Sequence, residues 1–162
     1  MRYLFARAAP SMLLIGEQAV AALVHHRQRG PTYAEAGGVL LGRLLVAGPH
    51  AVVDEVTTPL TGDRRSRFTF WRSRRPHQEV VTRRWFESAG TCLYLGEWHT
   101  HPEAMPHPST TDERHWRRRL TRDTFDVDTL FFVIVGTVGL RAWEGHRDGR
   151  LVPLGSAEEV PE

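Results

Sequence analysis

The segment that most limits what this chain can fold into runs Gly-Gly-Val-Leu-Leu-Gly-Arg-Leu-Leu-Val-Ala over residues 37–47. So long an apolar run suits a buried strand. Gly48-Pro49 then turns the chain into a second apolar strand at 51–57, which makes a hairpin the simplest reading. Around that pair, strands alternate with helices. Residues 11–15 read as a short strand, and 17–28 as a helix carrying Val20, Ala21, Leu23 and Val24, ended by Gly30-Pro31. Residues 58–75 are polar and Arg-rich, with a short aromatic strand at Phe68–Trp71. A helix follows Pro76 to residue 88, with Val80, Val81, Trp85 and Phe86 on its apolar side. A central strand over 91–101, a Pro-rich loop at 102–108, a charged helix at 110–122 and strands at 129–136 and 138–144 complete a mixed α/β body. One domain over residues 1–154 and a flexible acidic tail over 155–162 are expected.

Composition narrows the function classes. With 162 residues, 41% hydrophobic and 25% charged, the chain suits one globular domain. No apolar run approaches the roughly 18–20 residues that a membrane span requires. The apolar patch near the N-terminus is broken by Arg7 and Pro10, which disfavours a secretory signal and favours a cytoplasmic protein. Cys92 is the only cysteine, so an internal disulfide and a cysteine-rich zinc site are excluded; its apolar neighbours suit a small core residue. All 21 basic residues are Arg. A GC-rich genome accounts for that, and a protein working beside a lysine-modifying machinery gains from offering no acceptor amine. The net charge of +2 makes no case for nucleic acid, although the pI is near 9.2. Arg64–Arg75 and Arg117–Arg119 read as a solvated charged surface that could flank a groove, and Phe68, Phe70 and Trp71 as core.

The chemistry lies in Gly96-Glu97-Trp98-His99-Thr100-His101-Pro102 and in Ser109-Thr110-Thr111-Asp112. Residues two apart in a strand share a side, so His99 and His101 project together as candidate zinc ligands. Pro102, Pro106 and Pro108 stiffen the following loop, which can return Asp112 to the same metal. Two His and one carboxylate leave a position for water, as in catalytic zinc sites. Other assignments stay open on spacing alone. Ser109 and Asp112 also fit a helix cap. Glu97 shares the histidine face, His115 lies one helical turn after Asp112, and His107 lies in the loop; each is a possible ligand or base.

His99-Thr100-His101-Pro102, six residues, then Ser109-x-x-Asp112, with Glu35 upstream before Gly37-Gly38-Val-Leu-Leu-Gly42, resembles the signature of the JAB (JAMM, MPN-type) zinc metalloproteases. The resemblance covers residues 10–145 and implies a mixed sheet flanked by helices, of the cytidine-deaminase-like kind, in a single domain. It implies Zn²⁺ held by His99, His101 and Asp112, Glu35 as general base, and Ser109 as a donor to the oxyanion or the attacking water. Glu97 then takes an outer, structural role. The one departure is Thr100, where Ser is frequent in the family.

The segment Tyr94–Glu103 and the small size look most like bacterial stand-alone JAB proteins of ubiquitination-like antiphage systems of the CBASS type. That implies a deubiquitinase-like isopeptidase. Its partners would be the C-terminal tail of a ubiquitin-like protein or of a conjugated cGAS-like nucleotidyltransferase, with the lysine-linked target. Processing of a ubiquitin-like or sulfur-carrier protein is the sibling reading, and a non-catalytic scaffold the reading from another class. Such a site on a strand–helix frame makes zinc dispensable for folding.

Overall fold

The structure is a computed structural model and describes residues 1–155 and 157–160. Eleven strands and three helices are present among them. The apolar hairpin is there as β3 (Gly37–Leu44) and β4 (Ala51–Val56), paired antiparallel. Ahead of it lie β1 (Arg2–Ala6), β2 (Met12–Ile15) and α1 (Glu17–His25). A small hairpin, β5 (Arg64–Ser66) and β6 (Thr69–Trp71), leads to α2 (Arg74–Glu87). The chain continues through β7 (Leu93–Thr100), α3 (Thr110–Arg122), β8 (Thr129–Val135), β9 (Leu140–His146), β10 (Leu151–Pro153) and β11 (Glu158–Val160).

Nine strands form one mixed sheet in the order β10-β9-β8-β7-β3-β4-β2-β1-β11. Its two edge strands are neighbours in sequence, which forces curvature. Only four residues separate Pro153 from Glu158, and five extended Cα steps span at most about 17 Å. A flat sheet of nine strands, each about 4.8 Å from the next, would be far wider. The sheet therefore curls until its margins meet. Arg7, just after β1, reaches Glu144 on β9 with guanidinium–carboxylate distances of 2.6 and 3.0 Å. Its guanidinium also lies over the Phe131 ring of β8.

The core fills the curl. Leu13, Ile15, Leu40, Val53, Leu95 and the near-continuous apolar run of β8 are buried together with Trp98, Trp116 and Leu120. In β7 a bulge at Gly96 shifts the register against β3. Gly96 sits at φ +146°, and a Cβ there would collide with the Phe131 carbonyl, so only glycine serves. No helix among the described residues is long and apolar enough to cross a membrane.

Several elements differ from the sequence expectation. The helix read over 17–28 ends at His25. Pro76 lies inside the first turn of α2 rather than before it, because the first-turn N–H groups have no helical partner to lose. Trp85 and Phe86, expected on the apolar side, are exposed, as are Phe68 and Trp71, expected as core. Cys92 is half-buried beside the Glu55 carboxylate, and burial followed by that charge pushes its thiol to about 11. Glu158–Val160 of the expected tail pair with β1, while residues 156, 161 and 162 of it lie outside the described residues.

Candidate metal centre

β7 carries His99 at its end, and the strand direction continues one step into His101, whose N–H bonds the Val135 carbonyl of β8 at 3.0 Å. The loop after Pro102 is anchored rather than free. Thr137 N–H donates to the Glu103 carbonyl at 2.7 Å, and Gly139 N–H to that of Ala104 at 3.0 Å. A Cβ at Gly136 would come within 2.5 Å of the Glu103 carbonyl oxygen, so the loop packs directly on the β8–β9 turn. Held there, the chain re-enters α3 with Ser109 as N-cap. Ser109 Oγ accepts the Asp112 N–H at 3.1 Å, and Asp112 Oδ2 accepts the Ser109 N–H at 2.6 Å. The Ser109 hydroxyl donates to the same Oδ2 at 2.6 Å. The cap thus fixes the carboxylate as well as the helix.

Three donors converge. His99 Nε2 and His101 Nε2 are 3.0 Å apart, and each is 3.3 Å from an Asp112 oxygen. Donors 2.0–2.1 Å from a tetrahedral zinc stand about 3.3 Å from one another, so this set fits a zinc ion. Burial works against the Asp112 carboxylate. Hydrogen bonds from His101 and His99 outweigh it and hold the group well below the usual carboxylate range. For His101 burial favours the neutral ring, but Asp112 and Glu35 together tip the balance upward.

Glu35 lies just before β3. Gly37 pairs with His99, and Ala36 and Thr100 bond each other through Ala36 N–H to Thr100 Oγ1 (2.9 Å) and Thr100 N–H to the Ala36 carbonyl (2.8 Å). Continuing that register places Glu35 opposite His101. It is 5% exposed, and its carboxyl is raised to about 7, by burial first, with Asp112 adding and His101 opposing. Thr100, the departure from the commoner Ser, uses its hydroxyl to join β3 to the buried Gln28, whose Oε1 accepts from it at 3.1 Å.

The alternatives that spacing left open separate in space. Among the described residues the grouping able to hold a metal contains His99, His101 and Asp112, without Glu97, His107 or His115. Glu97 is gripped by Arg72 and by Arg119, the latter at 3.2 Å, and after the opposing effect of burial these cations keep its carboxyl below its ordinary value. His107 contacts Arg141 across the loop, and His115 lies under the edge of Trp71 with ring centroids 4.8 Å apart. Sequence reasoning did not find Arg72 and Arg119 as the partners of Glu97, because nothing local links residues on β7 to those on two other segments.

Known proteins are similar to this chain in sequence and fold. The family described as prokaryotic homologs of the JAB domain matches residues 16–146. A protein of Vibrio cholerae named CD-NTase/cGAS isopeptidase is 37% identical over 143 residues, covering 88% of this chain and 86% of that one. A protein of the same name from Pseudomonas aeruginosa is 41% identical over 111 residues, covering 68% of each chain. A solution structure from Desulfitobacterium hafniense shares the fold at a TM-score of 0.56 and 23% identity, covering 86% of this chain and 87% of that one. The match extends from the residue before α1 to the end of β9 and so takes in Glu35, both histidines and Asp112; the chain belongs to the prokaryotic JAB-domain family.

Proposed function

We propose that the protein is a zinc-dependent isopeptidase that hydrolyses the bond between the C-terminal carboxyl of a conjugated protein and a lysine amine of its target. The observation that carries this is the convergence of His99, His101 and Asp112 next to a buried Glu35 whose pKa near 7 suits proton exchange at neutral pH. The name shared by the relatives supports a cGAS-like nucleotidyltransferase as the conjugated protein, with a ubiquitin-like modifier as the other choice of the same chemistry.

His99, His101 and Asp112 would hold the metal. Zinc there would supply Lewis acidity and lower the pKa of water at the site toward neutrality. Glu35 takes a proton from the attacking water and delivers it to the lysine nitrogen as the C–N bond breaks, so that a neutral amine leaves. Its burial serves this work, since a carboxyl near its ordinary value of 4.5 would be a poorer base toward the attacking water, while one near 7 can both take the proton and give it up at neutral pH. Ser109, whose hydroxyl proton rests on Asp112, rotates to serve the negative oxygen of the tetrahedral intermediate.

The test is cleavage of a lysine-linked conjugate of a cGAS-like nucleotidyltransferase by the purified protein, with and without a chelator. Cleavage that stops on chelation and returns with zinc is expected. A conjugate left intact by the zinc-loaded protein would contradict the reading.

A further inference from the structure

Glu35 sits where the sheet ladder gives out. Toward β7 its neighbour Ala36 is fixed by the two bonds to Thr100. N–H and C=O groups alternate sides along an extended chain, so those of Glu35 point the other way. On that side β4 pairs with β3 only from Leu40 onward, with two further bonds, Thr57 N–H to Val39 O and Val39 N–H to Thr57 Oγ1. The β5–β6 hairpin fills the gap. Glu35 N–H donates to the Ser66 carbonyl at 2.7 Å, as a ladder partner would accept it. The reciprocal bond comes from a side chain: Arg65 Nε donates to the Glu35 carbonyl at 2.6 Å, and its Nη2 reaches the Ala34 carbonyl at 3.4 Å. A guanidinium thus stands in for a backbone N–H.

The rest of the hairpin is seated independently of Arg65. The Phe70 ring lies where a Cβ on Gly37 would be, Trp71 rests on His115, and Arg72 holds Glu97. Phe68 at its tip stands out, 68% exposed. Removing the Arg65 side chain therefore frees the Glu35 carbonyl while the hairpin stays docked. We propose that Arg65 is a positioning residue for the catalytic base: by pinning the Glu35 carbonyl it fixes the backbone from which the carboxyl is aimed at the metal centre. This rests on Glu35 being the base. Misplacement of a reacting group by a fraction of an ångström slows the chemical step without changing substrate binding.

The experiment compares wild type with Arg65→Gln, Arg65→Lys, Glu35→Gln and the Arg65→Gln/Glu35→Gln double variant, all zinc-loaded, on a lysine-linked nucleotidyltransferase conjugate. Arg65→Gln is expected to lower kcat about tenfold at unchanged KM, metal content and Tm. Arg65→Lys, able to give one hydrogen bond to the carbonyl, recovers most of the loss. In the Glu35→Gln background the Arg65 change lowers the residual rate no further, because there is no base left to aim. An unchanged kcat, a loss confined to KM, or an equal loss in both backgrounds would overturn the positioning role alone. Full activity of Glu35→Gln would overturn the base assignment and this role with it.

Discussion

Two clusters in this molecule are built from the same residue types and do opposite things. At the end of β7, His99, His101 and Asp112 aim their donor atoms at one point between them, 3.0–3.3 Å apart. Behind it, Thr57, His77 and Asp63 form a chain in which each group faces the next. Thr57 Oγ1 accepts the Val39 N–H at 2.9 Å; the neutral His77 ring donates Nε2–H to Asp63 at 3.0 Å, which leaves Nδ1 to accept the Thr57 hydroxyl at 2.7 Å. Asp63 also receives the Leu60 and Ser73 N–H groups, each at 2.7 Å. The His77 and Asp63 side chains are 0% and 1% exposed, and burial keeps the imidazole neutral. A His–Asp pair that satisfies itself is a lock; one whose atoms converge on shared space is a site. The lock still serves the site, since Trp98, between Glu97 and His99 on β7, donates from Nε1 to the Thr57 carbonyl at 2.9 Å.

The contrast can be broken by exchanging the damage. Asp112→Ala should cut cleavage more than about a hundredfold by removing a metal ligand, while the metal-free protein loses only about 1 kcal/mol with its half of the α3 capping box. His77→Ala should do the reverse, costing about 3 kcal/mol in denaturant unfolding by leaving the Asp63 carboxylate buried without its ring, while the folded fraction keeps its metal and turnover. If His77→Ala abolished cleavage at full stability, the distinction between lock and site would fall.

Glu35 sharpens it. Glu35→Gln should lower kcat by roughly two or more orders of magnitude while the metal is retained. The same change should stabilise the metal-free protein in alkaline solution. The folded-state pKa near 7 exceeds the ordinary 4.5, so the group's contribution is full below pH 4.5 and is lost as pH rises through 7. Unfolding free energies from denaturant titrations with chelator present should put the variant ahead by about 3 kcal/mol above pH 7 and equal to wild type below pH 4.5. Among the smallest in stability is Ser109→Ala, which loses the α3 cap for about 1 kcal/mol in unfolding free energy, while its turnover falls because the hydroxyl donor to the tetrahedral intermediate is gone.

The convergence of His99, His101 and Asp112 was legible because its determinants are local: two histidines two apart on a strand, a proline-stiffened loop, and a carboxylate in the first turn of a helix whose bounds, Thr110–Arg122, match the sequence reading. Glu35 required the family resemblance, since a carboxylate before a glycine-rich strand carries no spacing signal of its own. The margins of the sheet were not legible. β1, β10 and β11 are short, and Arg2, Glu158 and Glu159 break any apolar pattern; they are strands because the curled sheet brings partners to them. β5 reads Arg-Arg-Ser and is held by its pairing with β6 and by Glu35. The Arg-rich surface is similar: Arg7, Arg72, Arg84 and Arg119 have acidic partners distant in sequence, which composition cannot foresee.

The central claim, that converging donors make the first cluster a metal site and saturated ones make the second a lock, is tested most directly by zinc content after dialysis against trace zinc, for wild type, Asp112→Ala and His77→Ala. One zinc per chain in wild type and in folded His77→Ala, and none in Asp112→Ala, is the expected result. Zinc retained by Asp112→Ala, or absent from wild type, would contradict it.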